Sequence, residues 1–205
     1  MIPKAIETLA EYFGMLPGVG PRQAARFVYF LLKQDAQTLA AFKNALQALQ
    51  SDIGVCENCF MPYEKSQENE NKKCSICTAP KRTSKIICVV EKESDAERME
   101  KLGLYEGVYF VLSGTLGVLQ KDAEIKRRVG ILKERLLKQK AREVILGLNP
   151  TREGIFTNAY VEEALSSVAA DKKPLVTRLG RGLTTGAELE YTDEETLRSA
   201  LLGRK

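Results

Sequence analysis

Apolar residues recur at helical spacing three times before residue 52. Ile2, Ile6, Leu9 and Phe13 form one stripe, with Lys4, Glu7 and Glu11 off it, and the pattern stops at Gly14. Ala24, Val28 and Leu31 form a second stripe in a segment that opens at Pro21, a residue suited to the first turn of a helix. Leu39, Phe42, Leu46 and Leu49 form a third over Ala36 to Gln50. The spacing predicts three short amphipathic helices, the third packing back on the first two. From residue 85 the texture changes. Lys85–Val90, Gly107–Leu112, Arg142–Leu148 and Leu175–Leu179 are apolar runs of strand length, and Ser94–Leu102, Asp122–Arg142 and Thr157–Val168 carry helical patterns between and after them. Strands alternating with helices predict a mostly parallel sheet with helices on its faces and right-handed crossovers. The fold class is therefore multidomain, a helical bundle followed by an α/β sheet domain.

Between these patterns lies a stretch with neither period. It reads Cys56-Glu-Asn-Cys59, then a polar run, then Cys74-Ser-Ile-Cys77. Two Cys-x-x-Cys turns present four sulfurs, the number a tetrahedral Zn²⁺ takes, and four thiolates leave no open position for water. One structural zinc per chain is expected on Cys56, Cys59, Cys74 and Cys77; the alternative is two disulfides or four unrelated thiols. A closed thiolate shell supplies folding energy that a loop-rich segment cannot gather from its own core. The expectation is that these cysteines fix the relative placement of the domains on either side. Cys88, inside the apolar run Lys85–Val90, reads as a small buried hydrophobe.

Composition narrows the chemistry. With 205 residues, 44% hydrophobic and 28% charged, the chain can bury a core and carries no disorder signature. The net charge of +4 permits contact with an anionic polymer without implying one. No histidine is present, which excludes Ser-His-Asp and Cys-His pairs and imidazole bases. No apolar run approaches a membrane span of ~20 residues, and the first residues given lack a basic start followed by an apolar signal core. The chain reads as cytoplasmic, where cysteines are more often metal ligands than disulfides.

Leu16-Pro-Gly-Val-Gly20 joins the first two helices and resembles the hairpin of helix-hairpin-helix DNA-binding motifs. Gly18 and Gly20 let the backbone approach a phosphate at a helix N-terminus, and Arg22 and Arg26, one turn apart, can add charged contacts. Such contacts read backbone, not sequence. The alternative is an ordinary turn with Val19 filling the core. A nucleotide site built on Gly18-Val-Gly20 is disfavoured because no Gly-x-x-x-x-Gly-Lys-Ser/Thr loop is present.

Two carboxylate positions follow strands. Glu91 ends Ile86–Val90, and Leu148-Asn-Pro-Thr-Arg-Glu-Gly154 follows Arg142–Leu148. In a parallel sheet these ends share one edge, where ligands bind. The arrangement resembles the Toprim domain of topoisomerases, DnaG-type primases and some nucleases, in which a glutamate and a later Asp-x-Asp pair hold Mg²⁺. Here Asn149 and Thr151 stand where the two aspartates would be, leaving Glu91 and Glu153. A hard dication would find too little negative charge. The site reads as a degenerate Toprim centre, for a partner or a weakly held Mg²⁺, and the chain as a non-enzyme; the competing reading is a Mg²⁺-dependent Toprim nuclease or primase. Glu91 and Glu153 also have a plain alternative, bonding to the N-terminal turn of a neighbouring helix.

The order of helix-hairpin-helix, four cysteines and degenerate Toprim centre, with a tail of Thr177-Arg-Leu-Gly-Arg-Gly-Leu183 and Leu189-Glu-Tyr-Thr-Asp-Glu-Glu-Thr-Leu197, resembles the RecR family of bacterial recombination proteins. The resemblance implies residues 1–53 as a DNA-binding bundle, 54–80 as the zinc element, 81–176 as the Toprim-like domain and 177–205 as a strand, loop and helix tail used in oligomerisation. It further implies a DNA-repair mediator, a dimer or tetramer ring around DNA, acting with RecO and in many bacteria RecF to load RecA on gapped or single-stranded DNA. The chain departs from the family pattern at Tyr109–Leu119 and at Glu153-Gly-Ile-Phe-Thr157, both beside the degenerate site. Finally, the longest helix carries Lys121, Lys126, Arg127, Arg128, Lys133, Arg135, Lys138, Lys140 and Arg142 against Asp122, Glu124 and Glu134. Either this is a solvated outer face or it is a second surface for nucleic acid or an acidic partner.

Overall fold

A computed structural model describes residues 2–66, 71–117, 122–168, 173–180, 182–183, 185–186 and 188–204. Lys121 and Arg181, used in the reading above, lie outside the described residues. The chain divides into two compact units, Met1–Ile53 and Gly54–Lys205.

The first unit holds α1 (Lys4–Gly14), α2 (Pro21–Leu31) and α3 (Ala36–Ser51). α1 and α2 pack as a pair: Ala24 and Val28 are buried, and Phe13 meets Phe27 edge to face at 5.5 Å between ring centres. The turn between them closes through Val19 N–H donating to the Leu16 carbonyl at 3.1 Å. It passes through Gly18 at φ 78°, a left-handed conformation that costs a side-chain-bearing residue energy. α3 forms where its periodicity predicts, with Asp35 accepting from Thr38 N–H at 2.7 Å as its N-cap. The expectation that it packs back on α1 and α2 is corrected: no residue of α3 is buried, and Leu46 and Leu49 stand 53% and 65% exposed. Leu39, Phe42 and Leu46 of its stripe instead line one wall of an apolar groove of about 400 Å³, opposite Ile6, Leu9, Val28 and Leu31. Two helices of 11 residues each present too narrow an apolar surface to close over a third of 16.

A hairpin begins at the unit boundary, β1 (Ile53–Val55) paired with β2 (Pro62–Glu64), followed by the single turn α4 (Ser75–Thr78). Then come β3 (Ile86–Val90), α5 (Glu93–Leu102), β4 (Val108–Val111), α6 (Asp122–Gln139), β5 (Glu143–Gly147), α7 (Arg152–Ser166) and β6 (Leu175–Arg178). A 3₁₀ turn over Leu189–Tyr191 and α8 (Glu194–Leu202) complete it. The sheet order is β4-β3-β5-β6 and every pairing is parallel, as the alternation predicts. Side chains alternate across the sheet, so the two faces bury different residues. Ile87, Val89, Phe110, Val144 and Leu146 face one core with Ile125, Val129, Leu132 and Leu136 of α6 and Val161 and Leu165 of α7. Cys88, Val90, Tyr109 and Val111 face the other with Ala96 of α5 and with Cys56, Cys59 and Cys74. The cysteine element thus shares its core with the sheet.

Two boundaries differ from the periodicity. α7 starts at Arg152, before the expected Thr157, because Thr151 accepts from Gly154 N–H at 3.1 Å and caps a turn that the sequence pattern leaves as a loop. α6 ends at Gln139 because Lys140 turns left-handed at φ 50°. Among the described residues no helix is long and apolar enough to cross a membrane.

Candidate metal centre and nucleic-acid hairpin

The first cysteine turn is built by the β1–β2 hairpin. Cys56 N–H donates to the Met61 carbonyl and Phe60 N–H to the Cys56 carbonyl, both at 2.9 Å, and Phe60 takes φ 64° to complete the knuckle. The second is the mouth of α4, where Cys77 N–H donates to the Cys74 carbonyl at 3.1 Å. The four Sγ atoms lie within 4.8 Å of one another, with Cys59 and Cys74 at 3.4 Å. All four thiols are free, and 3.4 Å is far beyond an S–S bond of about 2.05 Å. It is close to the edge of about 3.8 Å expected of a tetrahedron with Zn–S near 2.3 Å. Four thiols this close, three of them buried, cannot all ionise without a positive charge among them. A dication removes that conflict, since it lets all four ionise together. The set fits one metal ion of zinc's type. Cys88 belongs to no such group; burial alone pushes it up to about 12.

The carboxyl ends of β3 and β5 are neighbours, which brings Glu91 and Asn149 together as expected of a Toprim edge. Asn149 Nδ2 donates to Glu91 Oε2 at 2.8 Å, and Lys92 Nζ lies 3.4 Å from Glu91 Oε1. Glu91 is 9% exposed, so its carboxylate is spent on an amide and a lysine. Thr151 is turned away to cap α7, and the backbone of Gly154 lies so close to the Asn149 carbonyl that a Cβ would collide with it. Glu153 lies at the start of α7 beside Gly117, and its own carbonyl accepts from Thr157 Oγ1 at 2.7 Å. Among the described residues the four cysteines form the one cluster of three or more metal-binding side chains.

In the first unit Gly20 caps α2 in an extended conformation, φ −83° and ψ 169°, with no side chain across the helix mouth. Pro21 follows at the first helical position, and Arg22 and Arg26 are both exposed. The first-turn amides and the positive end of the helix dipole therefore face outward beside two guanidinium groups.

Comparison with known proteins decides the family. Residues 85–179 match the family model for the Toprim domain, residues 6–49 that for the RecR helix-hairpin-helix, and residues 185–205 that for the RecR C-terminal region. Over 205 residues the chain is 36% identical to the recombination protein RecR of Roseiflexus castenholzii, spanning 100% of this chain and 95% of that protein. It is 37% identical to the recombination protein RecR of Treponema pallidum, spanning 100% and 96%. The chain belongs to the RecR family.

Sequence reasoning missed two residues of this RecR-family chain that touch the four-cysteine element. They sit on the basic helix α6, weighed above as a solvated face or a nucleic-acid surface. Arg135 is 6% exposed and Arg128 reaches inward too, whereas Arg127 pairs with Glu124, Lys138 with Glu134 and Lys133 donates to Ser167 Oγ. Arg135 Nη1 donates to the carbonyls of Asn58 and Tyr109 at 2.6 and 2.9 Å. Arg128 lies over the Phe60 ring at 4.1 Å and donates to the Val111 carbonyl at 2.9 Å. A signal was present: Arg128 and Arg135 stand one turn either side of Leu132, in line with the buried stripe.

Proposed function

We propose that this chain is a non-enzymatic, DNA-binding recombination mediator of DNA repair. The observation that carries the DNA part is the Leu16–Gly20 hairpin, which leads into a helix N-terminus with no side-chain cap, followed by the exposed Arg22 and Arg26. Contacts of that kind neutralise phosphates and are indifferent to base sequence. Family membership supports the recombination role, since full-length relatives are named recombination protein RecR. The finer reading is a ring of two or four copies around DNA, placed in the cytoplasm at the nucleoid, acting with RecO and RecF to load RecA on gapped or single-stranded DNA. The groove on α3 and the exposed Leu189, Tyr191, Leu201 and Leu202 of the tail support assembly, because a surface so apolar is costly in an isolated copy. One structural zinc per chain sits on Cys56, Cys59, Cys74 and Cys77 in this reading.

Glu91, Asn149, Thr151 and Glu153 make a partner site in this reading and not a nuclease centre. The Asn149–Glu91 hydrogen bond supports the second half of that reading, because an amide proton stands where a metal's second carboxylate would be needed. The test of the DNA interface is Arg22→Glu with Arg26→Glu. DNA binding at moderate salt is lost while zinc content and oligomeric mass are kept; unchanged affinity sinks the hairpin assignment.

A further inference from the structure

Arg135 is a buried cation in search of its counter-charge. Its side chain spans from α6 to the first cysteine turn, and both of its short bonds go to neutral carbonyls, Asn58 and Tyr109. Its third contact, Nε to Gln139 Oε1 at 3.2 Å, is also neutral. Among the described residues no carboxylate pairs with it. Glu57 and Glu134 line the same shallow groove, yet they reach Lys72 and Lys138 at 3.4 and 3.7 Å. A guanidinium held at 6% exposure with no anion is costly, and such groups are kept where an anion is close.

The neighbouring element supplies one. A dication with four thiolates is a net dianion, and here three of its four sulfur-bearing residues are buried. Asn58, whose carbonyl Arg135 grips, is the residue before Cys59. Arg128, with its side chain 13% exposed, covers Phe60 on the other side of that cysteine, although it shares Glu124 and so brings less unspent charge. Cys59 itself is tied to the same strand, its carbonyl accepting from Val111 N–H at 2.9 Å.

We propose that Arg135, seconded by Arg128, is the positioning residue and counter-charge of the zinc–tetrathiolate centre. It holds the Asn58–Phe60 turn against the outer edge of β4 and offsets the negative charge of the bound metal set. The sheet and the metal element then stabilise each other. The inference rests on the zinc reading of the four cysteines, and the experiment separates the two.

Zinc content of the unaltered full-length protein is measured first by elemental analysis; a metal-free, folded protein overturns the zinc reading and this inference with it. With zinc present, release to a chromogenic chelator and the pH midpoint of release are compared for Arg135→Gln and Arg135→Lys. Loss of the positive charge makes the thiolates more basic, so protons displace zinc at higher pH. Arg135→Gln releases zinc at least about tenfold faster, with its midpoint moved up. Arg135→Lys stays near the parent midpoint. A thermal midpoint lowered in Arg135→Gln with zinc release unchanged marks Arg135 as structural only and overturns the proposal, as does a lysine variant as labile as the glutamine one. Should Arg135→Gln fail to fold, Arg128→Gln decides with Arg135→Lys: an upward shift in the first and none in the second support the counter-charge, and any other pairing overturns it.

Discussion

The two units of this chain solve the burial problem in opposite ways. Gly54–Lys205 closes its own core: both faces of the β4-β3-β5-β6 sheet are covered, and Phe110, Leu132 and Leu165 reach 0% exposure. Met1–Ile53 buries little beyond Ala24 and Val28 and leaves a third helix with an open apolar stripe. The sheet is finished by its own residues, whereas the helical unit, like the Leu189–Leu202 tail, leaves apolar surface in solvent. In the reading given above, another copy covers that surface, and the basic hairpin stays free for DNA.

The contrast is broken or sharpened most strongly by matched truncations. Leu132→Ala in the sheet unit removes a side chain fully enclosed between α6 and the sheet and costs about 3 kcal/mol. Leu46→Ala on α3 empties a position already 53% exposed and changes local stability by less than about 0.5 kcal/mol, but it lowers the oligomeric mass. Hydrogen exchange reports each unit separately, and sedimentation reports assembly. A large local cost at Leu46 with unchanged mass shows that α3 closes on its own bundle and ends the contrast.

A second difference is electrostatic, and it lies in how the sheet unit fastens its ends. Arg82 forms a two-pronged ion pair with Glu100 and donates to the carbonyls of Tyr105 and Gly107 at 3.0 and 3.1 Å, clamping the entry to β4. Burial pushes the Glu100 carboxyl up, but the Arg82 hydrogen bonds outweigh it and leave its pKa below the ordinary 4.5. A depressed carboxylate stabilises fully above its unfolded value and loses that contribution as pH falls through the folded one. Glu100→Gln therefore costs about 2 kcal/mol at neutral pH, the scale of hydrogen bonds to charged groups in a pair with side chains 22% and 24% exposed. The difference from the parent shrinks as pH drops below 4.5. A gap that stays constant down to the acid transition refutes the clamp.

What was legible in the sequence follows the same divide. The four cysteines, the strands and the parallel sheet were readable because spacing and period are local properties that the folded unit only has to honour. The closing of α3 was not, since a stripe of Leu39, Phe42, Leu46 and Leu49 announces burial without naming what buries it. Arg128 and Arg135 were misread for a related reason: counting charges on α6 gives a basic helix, whereas a cation in line with the apolar stripe marks one that turns inward. At the Toprim edge, the loss of two aspartates was visible but the replacement was not. That Asn149 donates to Glu91, and that Thr151 starts α7 early, are facts about which side chains meet across strands and turns.

The most local effect compares two helix caps, one in each unit. Thr151 caps α7 through Gly154 N–H, and α7 is also fixed by Val161 and Leu165 in the core. Thr151→Ala costs about 1 kcal/mol and leaves the helix in place, because packing holds it once it is formed. Asp35 caps α3 through Thr38 N–H and accepts from Thr38 Oγ1 at 2.8 Å, and α3 has no buried residue to hold it in an isolated copy. Those hydrogen bonds, the Thr38 amide first, keep the Asp35 carboxyl below its ordinary 3.8. Asp35→Ala frays the first turn of α3, and lowering the pH through the folded value reproduces the fraying in the parent. Exchange of the Thr38 and Leu39 amides reads both. If these amides exchange slowly in the variant while the protein is monomeric, α3 is held by something other than its cap; if they slow only as copies assemble, the open face of the bundle is the surface that assembly covers.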